Sequence, residues 1–137
     1  MEYNIDIKKG LGDIHFDMPI EDIVAIMGPP EEIETIDNAC DEMTTVLHYN
    51  DGELTLFCEG DSPKLQCIDI SVDETTLFGK AIFDMGEKEI VQLMIAANYF
   101  EEDADQEDWG ERRITFPEGN IDFYFEDDDL ISVAFGQ

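Results

Sequence analysis

Gly12 to Gly28 reads GDIHFDMPIEDIVAIMG, and Gly79 to Ile95 reads GKAIFDMGEKEIVQLMI. At an offset of 67 residues, Gly12/Gly79, Phe16/Phe83, Asp17/Asp84, Met18/Met85, Ile23/Ile90, Val24/Val91 and Met27/Met94 are identical. The same offset sets Leu47 on Ile114, Tyr49 on Phe116, Gly52 on Gly119, Leu54 on Ile121, Leu56 on Phe123 and Phe57 on Tyr124. With a further shift of two residues, 65–70 falls on 130–135. Self-similarity at a fixed offset is the mark of a duplicated unit. The sequence therefore predicts two tandem units, residues 1–71 and 72–137, joined in one compact domain.

Each unit carries the same local pattern. A short extended lead-in (14–16, 81–83) precedes a helix whose apolar residues recur at helical spacing: Ile20, Ile23, Val24 and Met27, then Ile90, Val91, Met94 and Ala97. Pro19 suits a helix start, Glu21 and Asp22 suit its positive end, and Gly28-Pro29-Pro30 stops it. Three alternating strands then follow in each unit. Asn50-Asp51-Gly52 and Pro117-Glu118-Gly119-Asn120 are hairpin turns, and 59–63 and 126–129 are polar second turns. Leu54, Leu56 and Cys58 share one side with Ile68 and Ile70, as Ile121, Phe123 and Phe125 do with Val133 and Phe135. The opposite sides carry Thr55, Phe57 and Glu59, then Asp122, Tyr124 and Glu126. The expected class is α+β: two helix-plus-three-strand repeats, antiparallel sheets with helices on one face and the other face open. Two stretches fall outside this scheme. Residues 31–43 read as an acidic connection, and 100–111 as a solvated acidic loop closed by Trp109 at the seam.

Charge narrows the partners. The chain holds 35 Asp plus Glu against 7 Lys plus Arg, a formal net charge of −28. Nucleic-acid backbones and anionic membranes are disfavoured, because both are bound through Lys and Arg. Basic proteins and cations are the natural partners, and a basic protein is the one expected. The N-terminus shows no apolar signal core, and no run is long enough to span a bilayer. Cys40, Cys58 and Cys67 are odd in number and match no metal-ligand spacing, which fits free thiols in the cytoplasm.

The pattern G-x-x-x-F-D-M-x-x-E/K-x-I-V-x-x-M, closed by G-P-P in the first unit, followed by three short strands and then repeated, resembles the tandem helix-plus-sheet repeat of beta-lactamase inhibitor proteins. It is also similar to single-unit outer-membrane lipoproteins and to small bacterial immunity proteins. The resemblance implies that two units lay their sheets side by side and grip a protein with the open face. This chain lacks the export signal and the evident cysteine pair of the secreted inhibitors, which points away from a beta-lactamase and toward an intracellular target.

No catalytic constellation is visible. His15 and His48 occupy non-equivalent places and read as structural or solvent-facing, and no G-x-S-x-G, phosphate loop or H-E-x-x-H occurs. The run Asp103-x-Asp105-x-Glu107 begins like a calcium loop but has Asp108 and Ile114 where Gly and Glu are required. No cofactor and no metal site is expected, and no enzyme. The expected partner-binding residues are Phe57 and Tyr124 as aromatic anchors with Asp69, Asp122 and Glu126 as flanking charges. The competing structural reading makes Phe57 and Tyr124 seam packing. The alternative functions are a nucleic-acid mimic, built of carboxylates spaced like phosphates, and a structural or adaptor module. A net charge of −28 destabilises the compact state by self-repulsion. The melting temperature is expected to be higher in moderate than in low salt by calorimetry, and equal values would contradict that repulsion.

Overall fold

The computed structural model describes residues 3–37, 43–60, 62–100, 103–106 and 111–137. Cys40 and Trp109 lie outside the described residues, as do Glu107 and Asp108 of the calcium-like run. In chain order the strands are β1 (Asn4–Asp6), β2 (Gly10–Leu11) and β3 (Ile14–His15), followed by helix α1 (Ile20–Met27). The first half continues with β4 (Glu32–Asp37), β5 (Met43–Tyr49), β6 (Leu54–Glu59) and β7 (Lys64–Ile70). The second half has β8 (Thr76–Leu77), β9 (Lys80–Ala81), helix α2 (Glu87–Ala96), β10 (Asp103–Gln106), β11 (Glu111–Phe116), β12 (Ile121–Glu126) and β13 (Asp129–Gly136).

These strands form two sheets, one in the order β3-β2-β1-β8-β9 and one in the order β10-β11-β12-β13-β7-β6-β5-β4. The fold is therefore mostly β. This corrects the expected α+β arrangement of two helix-plus-three-strand units. Each half gives the large sheet four strands, and the segments before the helices build a second sheet rather than simple lead-ins. The extra strands are β4, inside the expected connection, and β10, inside the expected solvated loop. Both are edge strands, held by one ladder each: Glu32↔His48 through Asp37↔Met43, and Asp103↔Thr115 through Gln106↔Arg112. An edge strand needs only one partner, and charge on it deters pairing with other chains. Acidic composition thus disguised strand as loop.

The helices form where their end signals lie. α1 begins after Pro19, which is extended (φ −67°, ψ 154°), carries Glu21 and Asp22 in its first turn, and ends at Gly28 with φ 83°. α2 is tied to the sheet at its start: the Glu87 amide donates to Asp128 Oδ1 (3.1 Å), and Arg112 Nε donates to Glu87 Oε1. The chain before α1 is anchored to β7 by two backbone bonds, Asp17 N to Leu65 O (2.7 Å) and Leu65 N to Met18 O (3.0 Å).

The core lies between the helix side of the large sheet, the two helices and the small sheet. It gathers Leu54, Leu56, Ile68, Ile70, Phe123 and Phe135 with Ile23 and Met94 of the helices and Ile5 and Leu77 of the small sheet. Among the described residues, the halves meet along two ladders and through shared core packing. β7 pairs antiparallel with β13, β1 pairs parallel with β8, and Phe16 packs edge-on against Phe135 at 5.9 Å. Neighbouring residues of one strand thus face opposite environments: Phe123 is fully buried in the core, and Tyr124 is half-buried on the other face. Phe123→Ala should cost about 3–5 kcal/mol in denaturant unfolding, and Tyr124→Ala clearly less. Equal losses would mean that the second face is also core.

Candidate functional site

The large sheet turns its second face away from the helices. Register defines that face. One row across the strands runs Asp103, Thr115, Asp122, Ala134, Asp69, Thr55, His48, Glu32. Alongside it, Gly136, Cys67, Phe57, Val46 and Glu34 form a half-row on one side, and Ser132, Tyr124, Arg113 and Asp105 form one on the other. None of these residues belongs to the core cluster.

Two bulges shape the centre. The ladder of β6 and β7 shifts between Phe57 and Cys58, and the ladder of β12 and β13 shifts between Tyr124 and Phe125. A bulge bends the strand and re-aims the side chains beside it. The two aromatics therefore stand at matching irregularities, one strand outside the β7–β13 seam on either side. Between them the seam holds small side chains, Ala134 and Gly136. A Cβ on Gly136 would come within 2.9 Å of the Asn120 side-chain amide nitrogen and 3.1 Å of the Gln66 carbonyl, so a side chain there would have to displace Asn120. The result is a shallow depression of about 110 Å³ lined by Gln66, Cys67, Asn120, Asp122, Ala134 and Gly136, with Phe135 beneath. Drug-sized ligands need pockets of roughly 300–1,000 Å³. This one has room for a single side chain.

The depression is electrically negative. Asp122 accepts a hydrogen bond from the Thr115 hydroxyl, while Asp69 forms no salt bridge among the described residues. Burial pushes the Asp69 carboxyl above its usual 3.8. Burial also raises Tyr124, with Asp122 adding to the rise and the Arg113 guanidinium opposing it. The Cys67 thiol is raised chiefly by burial, and the carboxylates of Asp69, Asp122 and Glu59 add to that. Such a thiol stays protonated near neutral pH and is a poor nucleophile. Cys58, on the helix side, is buried and pushed up to about 11. The arrangement can hold a cation; it does not activate a nucleophile.

The residues singled out from the sequence are placed as follows. Phe57, Tyr124, Asp69 and Asp122 all lie on the outward face around the depression. Glu126 lies at the far end of β12, exposed, opposite Glu111 and Asp129, and away from the depression. Cys67, Asn120, Ala134 and Gly136 were not foreseen. Their only signal was the Gly119-Asn120 turn, where Asn120 adopts φ 48° and donates to the Gln137 carbonyl.

The chain matches no known family model and no curated protein. Among solved structures it is similar to an extracellular protein containing a SCP domain from Bacillus anthracis str. Ames, with a TM-score of 0.53 and 14% identity. The likeness covers 97% of this chain and 50% of that one, so the chain spans half the length of that protein. At this identity the likeness concerns the fold. Among the described residues, no helix is long and apolar enough to cross a membrane.

A carboxyl whose folded value is raised above its unfolded one binds protons more tightly when folded. Its burial therefore costs stability above the unfolded value of 3.8, and the cost vanishes below it. Asp69→Asn should raise the melting temperature by a few degrees at pH 7. The gain should shrink to nothing as the pH falls below about 4. A variant that melts lower than wild type at pH 7 would show that the charge is satisfied.

Proposed function

We propose that this chain is a non-catalytic binding protein that holds a basic protein partner on the outward face of its large sheet, in the manner of an inhibitor or immunity protein. The observation that carries this reading is the pair Asp69 and Asp122 on either side of Ala134 in one cross-strand row, with Asp122 and Ala134 lining a depression that has room for one side chain and Asp69 standing beside it. Antiparallel neighbours are about 4.8 Å apart, so the two carboxylates rise from strands about 10 Å apart. A partner's Lys or Arg entering between them would supply the charge that Asp69 lacks. A charge left partly desolvated in the free protein favours binding once it is paired.

Phe57 and Tyr124 flank that point and supply apolar contact area, the usual companion of a central charge at a protein interface. The net charge of −28 steers a basic partner toward the face and speeds its association. Glu126, at the rim, would act on association rate rather than on affinity. Cys58 and Cys67 are free and turn to opposite faces of the sheet, which fits a reducing compartment. A nucleic-acid mimic draws less support. Neighbouring carboxylates on the central row, at Asp122 and Asp69, rise from strands about 10 Å apart. A nucleic-acid strand carries one charge about every 3.4 Å of its axis.

The test is capture from the source cells' lysate with wild type, with Asp69→Asn/Asp122→Asn, with Phe57→Ala/Tyr124→Ala, and with the charge-matched control Asp73→Asn/Glu74→Gln. A basic protein held by wild type and control, released by moderate salt and lost from both face variants, is the expected result. Retention of the same protein by the face variants would place the interface elsewhere.

A further inference from the structure

Away from the central depression, the outer corner of the same face brings together three groups of different chemistry. β4 and β5 are antiparallel, with Glu32 opposite His48 and Glu34 opposite Val46. Residues 32 and 34 project from the same face of β4, and direct pairing puts His48 on that face too. One carboxylate oxygen of each glutamate and one imidazole nitrogen lie within 4.8 Å of one another. His48 Nε2 is 3.0 Å from Glu34 Oε1. Two ligands of a tetrahedral metal, each about 2.1 Å from it, are themselves about 3.4 Å apart. The hydrogen-bonded pair would open by only a few tenths of an ångström to take a metal in place of the shared proton. Beside them, Val46, the cross-strand partner of Glu34, is only 3% exposed.

The other end of the sheet supplies an independent comparison. Its order mirrors this one, with β10 on β11 standing where β4 on β5 stands. There the edge-strand acids at register positions 103 and 105 face Thr115 and Arg113. The position that carries Arg113 in one half carries Val46 in the other. The strand beside one edge thus carries an arginine at this position, and the strand beside the other carries His48 and, within Met43–Tyr49, no Lys or Arg.

We propose that Glu32, Glu34 and His48 form a binding site for a divalent transition metal of the zinc class. Imidazole with two carboxylates is a zinc-type donor set, and three protein ligands leave a coordination position open to water or to a partner's side chain. Calcium and magnesium are poorly served, since both require mainly oxygen ligands and more of them. This site does not depend on the docking reading.

The test titrates zinc chloride into chelator-treated protein by calorimetry while NMR follows the two imidazoles. His15, exposed on β3, is the internal control. One equivalent of zinc should bind, with the His48 ring signals moving and those of His15 unmoved. His48→Ala should lose at least tenfold in affinity, and Glu32→Gln and Glu34→Gln, both at exposed positions, should each weaken binding severalfold. Millimolar calcium or magnesium should not displace the zinc. Equal affinity in wild type and all three variants, or several weak equivalents that move both histidines together, would overturn the site and leave only condensation of cations on an acidic surface.

Discussion

The antiparallel ladder between β7 and β13 is the constraint on which the rest depends. It pairs Ile70 with Val133, Asp69 with Ala134, Ile68 with Phe135 and Cys67 with Gly136. It turns two four-strand meanders into one eight-stranded sheet. Because register alternates faces, the same four pairs send Ile68, Ile70, Val133 and Phe135 into the core and Cys67, Asp69, Ala134 and Gly136 to the outward face. A slip of β7 by one residue would turn its set over and bury the Asp69 carboxylate where Ile68 and Ile70 now lie. Fold and candidate site are thus two faces of one register.

The acidity of the chain is compatible with folding because of how it is distributed. Core positions are almost wholly apolar, with Thr44 and Thr75 as the buried polar residues among those described. The acids sit at edge strands, helix starts, turns and the outward face. Several serve a local purpose: Asp128 caps α2, Glu87 pairs with Arg112, and Glu31 accepts from the Asp51 amide. Asp69 is different. It lies mid-sheet, partly desolvated and without an ion-pair partner among the described residues, and a cost of that kind is what a binding surface bears in its free state.

Much of the sheet was legible because alternation and turn chemistry are short-range. The inward positions 54, 56 and 58 and their counterparts 121, 123 and 125 followed from period two alone. Helix ends were legible at Pro19 and Gly28 for the same reason. The edge strands were not. Residues 32–37 and 103–106 have acids where a strand face would carry apolar residues, and their ladders to β5 and β11 are tertiary facts. The small sheet was missed because its strands are two or three residues long and rest on the parallel contact of β1 with β8, whose paired residues lie 72 positions apart. Of the site, the four residues flanking the depression were readable as a face. The depression itself was not, since it arises from small residues at a seam whose existence required the β7–β13 ladder. The grouping of His48 with Glu32 and Glu34 was hidden for the same reason as β4.

Native-state hydrogen exchange measures the central ladder directly. If β7–β13 joins the halves into one cooperative unit, the amides bonded across that ladder should exchange among the slowest in the protein, at the rate of global unfolding. Amides of β7 and β13 that exchange well before those of the β5–β6 and β11–β12 ladders would show that the halves separate first, and would contradict the account of a single sheet built on that seam.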